Sequence, residues 1–182
     1  MTSARHTTGF GLDTPLILAA KAGDRNAYGR LIKLYQSPLR GFLRRLTNQN
    51  HALADDLAQD TMIQAFLQIE SYRGDSAFKT WLMSISYRIF LQYVRKDKRR
   101  RELLDGYEIP ENTTELDSHS HAKMDLDKAL MHLSADERTT ILLNSQEGMS
   151  HDEIAKSINM PLGTVKSHIK RGRDKLKIVL SA

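Results

Sequence analysis

The chain has 182 residues, room for one medium-sized domain or two small ones, and a net charge of +5 that suits a polyanionic partner. Helix formers dominate, glycine and proline are sparse and 40% of the residues are apolar, which indicates an all-α protein. The absence of cysteine excludes disulfides, thiolate metal sites and a thiol nucleophile.

Residues 1–12 are small and polar, with Gly9 and Gly11, and read as a mobile tail without a signal peptide's apolar core. Asp13, Thr14 and Pro15 start a short helix that Gly23 stops. Asp24 can cap the next, which buries Ala27, Leu31, Leu34 and Tyr35. Ser37 and Pro38 repeat the start signal for a third helix carrying Leu39, Phe42, Leu43 and Leu46.

Residues 54–101 follow as two amphipathic helices around a turn at Gly74. In the first, Met62, Ala65, Phe66 and Ile69 share the stripe that faces a core. Asp56, Asp60, Ile63 and Leu67 share another stripe, where two aliphatics sit among acids. A partner protein would explain that surface. The second helix buries Phe78, Trp81, Leu82, Ile85, Ile89 and Tyr93 by the same spacing. Its outer side carries Ser84, Tyr87, Arg88, Leu91 and Arg95, and then Lys96, Lys98, Arg99, Arg100 and Arg101. Rings and hydroxyls leading into cations suit an unwound nucleic-acid strand. The competing reading is a core helix whose solvated cations favour its C-terminal dipole.

The first domain therefore spans 13–101. Residues 102–122 carry six acids and no lysine or arginine and are punctuated by Pro110, Asn112, Thr113 and Thr114, as in a flexible acidic linker. A second helical domain spans 123–182, beginning with Met124, Leu126, Leu130 and Leu133. Ser134 with Glu137, and Ser150 with Glu153, have capping-box spacing, and Gly148 ends the helix between them. After a turn at Asn159, Met160 and Pro161, a last helix buries Leu162, Val165, Ile169, Leu176 and Val179. Short helix, turn and longer basic helix is the helix-turn-helix pattern. Lys166, Ser167, Lys170 and Arg171 point away from the apolar stripe towards base edges, and Thr164 at the helix start suits a phosphate. Six cations against Asp174 in 162–180 favour duplex DNA on this face.

The strings ADDLAQDTMIQAF (54–66), YRGDSAFKTWL (72–82) and SHDEIAKSINMPLGTVKSHIKRGRDKL (150–176) together resemble the sigma-70 family of bacterial transcription initiation factors. The resemblance is to the small extracytoplasmic-function (ECF) type, which keeps only regions 2 and 4. It implies two small helical domains, a region 2 bundle and a region 4 helix-turn-helix, joined by a linker that threads towards the RNA exit path. It also implies that Asp56, Gln59, Asp60 and Ile63 dock on the clamp helices of core RNA polymerase. Arg73, Asp75, Ser76, Lys79, Tyr87, Arg88 and Arg95 would serve the melted minus-ten element, with Phe78 and Trp81 nearby. Thr164, Lys166, Ser167, Lys170 and Arg171 would read the minus-thirty-five element while region 4 sits on the polymerase flap. An anti-sigma factor is a further implied partner. Many relatives carry Asn where this chain has Arg88; a guanidinium lacks an amide's acceptor edge, so the family's minus-ten preference is not carried over there.

A free-standing helix-turn-helix regulator is the alternative reading, separable by whether DNA recognition requires core polymerase. No Gly-rich phosphate loop is present, and the seven histidines form no ligand constellation, so no enzymatic activity, cofactor or metal is expected. No apolar run approaches the ~20 residues of a membrane span, so a cytoplasmic chain without direct membrane insertion is expected.

Overall fold

The computed structural model describes residues 13–103 and 121–181, and every regular element among them is helical. In order they are α1 (Thr14–Lys21), α2 (Arg25–Leu46), α3 (His51–Gln68), α4 (Phe78–Leu103), α5 (His121–Met131), α6 (Ala135–Ser145), α7 (His151–Ser157) and α8 (Leu162–Leu180), with a 3-10 turn at Ile69–Ser71 after α3. The expected tail lies outside the described residues, as does most of the expected linker. Its first residues, Glu102 and Leu103, instead finish α4, and its last, His121 and Ala122, open α5.

Local chemistry sets the boundaries. The Asp24 carboxylate accepts from the Asn26 and Ala27 N–H groups at 2.8 and 3.1 Å, and Asn50 caps α3 through the Leu53 N–H. Both capping boxes form, Ser134 with Glu137 at α6 and Ser150 with Glu153 at α7. Each cap satisfies N–H groups that the helix cannot, contributing about 1 kcal/mol. Gly74 turns the chain at φ +81°, a left-handed conformation that side chains resist.

The predicted break at Ser37–Pro38 does not occur, because α2 runs continuously through Pro38. Proline removes the N–H that would bond the Leu34 carbonyl. Leu34, expected in the core, is 55% exposed, so that carbonyl lies on the side where water can satisfy it. Meanwhile Leu31, Leu39, Phe42 and Leu43 are fully buried on either side of the proline and hold both halves in place.

Helices α1 to α4 form one packed group, with α2 against α1, α3 and α4; α5, α6 and α7 pack on α8 to form a second. The groups also touch each other, α2 against α6 and α4 against α7, and the buried apolar cluster includes residues of both.

Candidate docking and nucleic-acid surfaces

Helix α3 packs through small side chains. Ala54, Leu57, Ala58, Thr61 and Ala65 are its buried residues, and the Thr61 hydroxyl is satisfied internally by the Leu57 carbonyl at 2.6 Å. Of the predicted stripe, Ala65 and Ile69 are buried, Met62 is half-buried, and Phe66 lies at the surface with its ring 5.0 Å from that of Tyr28. Asp56, Gln59, Asp60 and Ile63 are all exposed, with Ile63 at 51% and Leu67 at 68%. Asp55 pairs with Arg40 at 3.3 Å, whereas Asp56 and Asp60 make no ion pair among the described residues. The result is an apolar strip flanked by unneutralised carboxylates, suited to a partner with an apolar groove and basic rim.

The loop between α3 and α4 is braced from inside. The Tyr72 hydroxyl donates to the Ser76 carbonyl at 2.6 Å, and the Lys21 ammonium donates to the Tyr72 carbonyl at 2.8 Å. Rings of Tyr35, Tyr72, Phe78 and Trp81 stack edge and face at 5.3 to 5.4 Å between centroids. Phe78 is buried in this cluster, while Trp81 is half-buried and so keeps one part of its ring accessible. Arg73 and Asp75 are exposed on the loop and Ser76 is half-buried.

Along α4 the predicted outer face is only partly outside. Arg88 and Arg95 are exposed, as are Lys96, Lys98, Arg99 and Arg100. The Arg88 guanidinium donates to the Ser84 carbonyl at 3.2 Å, which draws it along the helix. Ser84 and Tyr87, expected outside, are buried, Tyr87 at 1% exposure. The Tyr87 hydroxyl donates 2.9 Å to the Asp136 carboxylate of α6, and burial together with that bond pushes the phenol well above its usual pKa. Lys79, also expected at the strand face, lies 2.6 Å from Glu147, beyond α6. The periodicity of α4 alone could not reveal these contacts, because Asp136 of α6, Glu147 in the turn after it and helix α7 all meet the helix from the second group.

The second group presents a different surface. Val165, Ile169 and Gly172 bury one side of α8, and Lys166, Ser167, Lys170 and Arg171 are exposed, with Thr164 half-buried. Leu162, expected in the core, is 38% exposed, and Leu176 and Val179 are half-buried. Asn159 takes φ +53° in the turn between α7 and α8. No side chain caps α8, so its first N–H groups are available to an anion.

Sequence reasoning missed the residues that set the angle of α8. A Cβ on Gly172 would stand 2.4 Å from Ile141 Cδ1, so glycine lets α6 and α8 cross closely. Glu137, nearly buried in α6, accepts from Lys175 at 2.7 Å and lies 3.7 Å from Arg171. Burial pushes its carboxyl up, but the Lys175 and Ser134 hydrogen bonds prevail and hold it below its usual pKa. Arg138 is buried beside it, donating to the carbonyls of Leu130, Leu46 and Leu133 at 2.8, 2.9 and 3.0 Å, and burial brings its pKa down to about 10. A polar residue in the middle of a helix gives no such signal in sequence.

A Sigma-70 region 2 family model matches residues 31–100, and a Sigma-70 region 4 model matches residues 123–176. The ECF sigma-E factor of Haemophilus influenzae is 30% identical over 178 residues, 91% of this chain and 93% of that protein. The chain belongs to the ECF sigma factors of the sigma-70 family. The ECF sigma factor SigM of Mycobacterium tuberculosis is 31% identical, over 92% of this sigma factor and 84% of its own length. Among solved structures, the sigma factor RpoE of Bartonella quintana, in complex with the anti-sigma factor NepR, superposes with a TM-score of 0.73 at 31% identity, covering 85% of this chain and 97% of that one. CnrH, in complex with the cytosolic domain of CnrY, gives 0.65 at 24% identity over 93% and 97%, which bears on the fold. A sigma factor is a transcription initiation factor rather than a catalyst, and it directs RNA polymerase to promoters. No described helix of this one is long and apolar enough to cross a membrane.

Proposed function

We propose that this sigma factor divides its work between three surfaces. The α3 face, with Asp56, Gln59, Asp60 and Ile63, docks on the clamp helices of core RNA polymerase. The loop before α4 and the exposed α4 face, with Arg73, Asp75, Ser76, Arg88 and Arg95, capture and hold the melted minus-ten strand, whereas Tyr87, buried against Asp136, and Lys79, paired with Glu147, stand apart from it. Unstacking a base costs a few kcal/mol, which ring stacking and phosphate pairing offset. On α8, Lys166, Ser167, Lys170 and Arg171 read the minus-thirty-five duplex and Thr164 seats a phosphate, while region 4 rests on the polymerase flap. The linker, read as 102–122, lies between the domains read as 13–101 and 123–182. The protein works in the cytoplasm, where its polymerase is, and an anti-sigma factor restrains it, as one binds the Bartonella relative.

The observation that carries this reading is the exposed α3 face, acidic and apolar at once, on the same chain as a basic helix-turn-helix. A free-standing regulator would use the second and leave the first without purpose. Run-off transcription separates the two: the chain should drive initiation at a defined start only with core polymerase, and a promoter duplex shifted strongly by the chain alone, with no initiation, would favour the regulator.

A further inference from the structure

The cations of α8 do not stand alike. Lys175 donates to Glu137 Oε2 at 2.7 Å, Arg171 Nε lies 3.7 Å from Glu137 Oε1, and Arg173 donates to the Asn144 amide oxygen at 2.7 Å. Lys166, Lys170 and Lys177 are exposed and make no ion pair among the described residues. Helix α6 thus sorts the charge that its neighbour presents to DNA.

Glu137 is the fixed point of this set. It is 4% exposed and so out of reach of DNA. Its carboxylate also accepts from the Ser134 N–H at 3.0 Å, which anchors it to the start of α6. Gly172 lets α8 approach, since even a Cβ there would stand 3.6 Å from Glu137 Cβ. Arg171 is thereby held on two sides, because its Nη2 also meets His168 Nδ1 at 3.1 Å, and its side chain still faces water. A guanidinium fixed in this way can meet a base edge with two N–H groups without first losing its own freedom.

We propose that Glu137 determines the specificity of the duplex-reading face from behind it: the carboxylate orients Arg171 for a base edge and neutralises Lys175, so discrimination rises while sequence-blind attraction to phosphates falls. Glu137 is a positioning residue, and its role rests on the reading of α8 as the helix that reads the minus-thirty-five duplex. Sequence-blind binding grows with the number of cations free to meet phosphates, and specificity is the gap between that binding and binding to the right sequence. A carboxylate that only held α6 on α8 would alter both affinities alike.

The test uses the full chain with core polymerase and two duplex probes, a random-sequence pool and the sequence that the native complex enriches from it. With Glu137→Gln, affinity for the pool should rise at least about threefold, its salt slope should steepen by about 1, and the affinity ratio of enriched to pool duplex should fall about tenfold. Glu137→Asp keeps the charge and should hold pool affinity within about twofold of native. Glu137→Gln/Lys175→Gln replaces the ion pair with two neutral amides, which protects the fold should the single variant be unstable. It should return pool affinity to within about twofold of native while the ratio stays about tenfold low, because Arg171 is still unguided. A native ratio in either glutamine variant would overturn the proposal, as would a pool affinity lowered by Glu137→Gln. Lys166→Ala/Lys170→Ala reads the underlying function separately. If that pair lowers the ratio and the glutamine variants do not, only the role of Glu137 is lost; if that pair also leaves the ratio native, α8 is not the reading helix.

Discussion

Arg138 sits where two helices end. Its guanidinium meets the Leu46 carbonyl at the end of α2 and the Leu130 carbonyl near the end of α5, where aligned peptide dipoles favour a cation. Its planar fork serves three carbonyls at once, which a lysine ammonium cannot match. Arg138→Ala should destabilise the chain by about 2–4 kcal/mol, since buried carbonyls would be left without donors, and Arg138→Lys should recover little of it. Urea unfolding measures both, and near-native stability for the lysine variant would contradict this assignment. From sequence, Arg138 is one more cation on a mid-polar helix. Tyr87 likewise looked external, because a hydroxyl and a helical phase of exposure say nothing about a helix that arrives from 49 residues away.

The elements were legible wherever a local motif defines them. Asp24, Ser134 with Glu137, and Ser150 with Glu153 all cap as their spacing requires, because a cap involves only neighbours in the chain. Pro38 misled for the converse reason: burial of Leu31, Leu39 and Phe42 against other helices outweighs a local start signal. The crossing of α6 and α8 was not legible, since it depends on Gly172 meeting Ile141. Alanine in place of Gly172 would gain about 1 kcal/mol of helix propensity but meet Ile141 Cδ1, so Gly172→Ala should be better tolerated in an Ile141→Val background, which lacks that methyl, than in the native chain; equal shifts of the thermal midpoint in both backgrounds would refute the close crossing. Glu137 ties the same pair through Lys175. Its folded pKa lies below the ordinary 4.5, so its stabilisation is fully present above that value and is lost as pH falls through the lower, folded one. The stability gap between the native chain and Glu137→Gln should therefore narrow as the pH falls below the ordinary glutamate value, and a gap that widens on acidification would reverse that sign.

At the scale of the whole molecule, the α3 and α8 surfaces belong to different helical groups and share no residue. Charge separates them as well, with acids on one and cations on the other. Composition gave only a modest net positive charge, and its segregation along the chain carried the functional information. That two such groups meet in the free chain could not be read from either one's periodicity, because the hydrogen bonds and ion pairs between them use polar side chains that an amphipathic pattern counts as solvent-facing.

The division of labour is most directly tested by measuring affinity for core polymerase and upstream-promoter recognition in two paired variants. Asp60→Ala/Ile63→Ala should weaken core binding about tenfold or more through loss of the exposed apolar anchor and its flanking charge. Lys166→Ala/Arg171→Ala should leave core binding within about twofold while weakening promoter duplex recognition and lowering its salt slope by up to about 2. If the second pair loses polymerase affinity and the first keeps it, the assignment of docking to α3 and DNA reading to α8 is wrong.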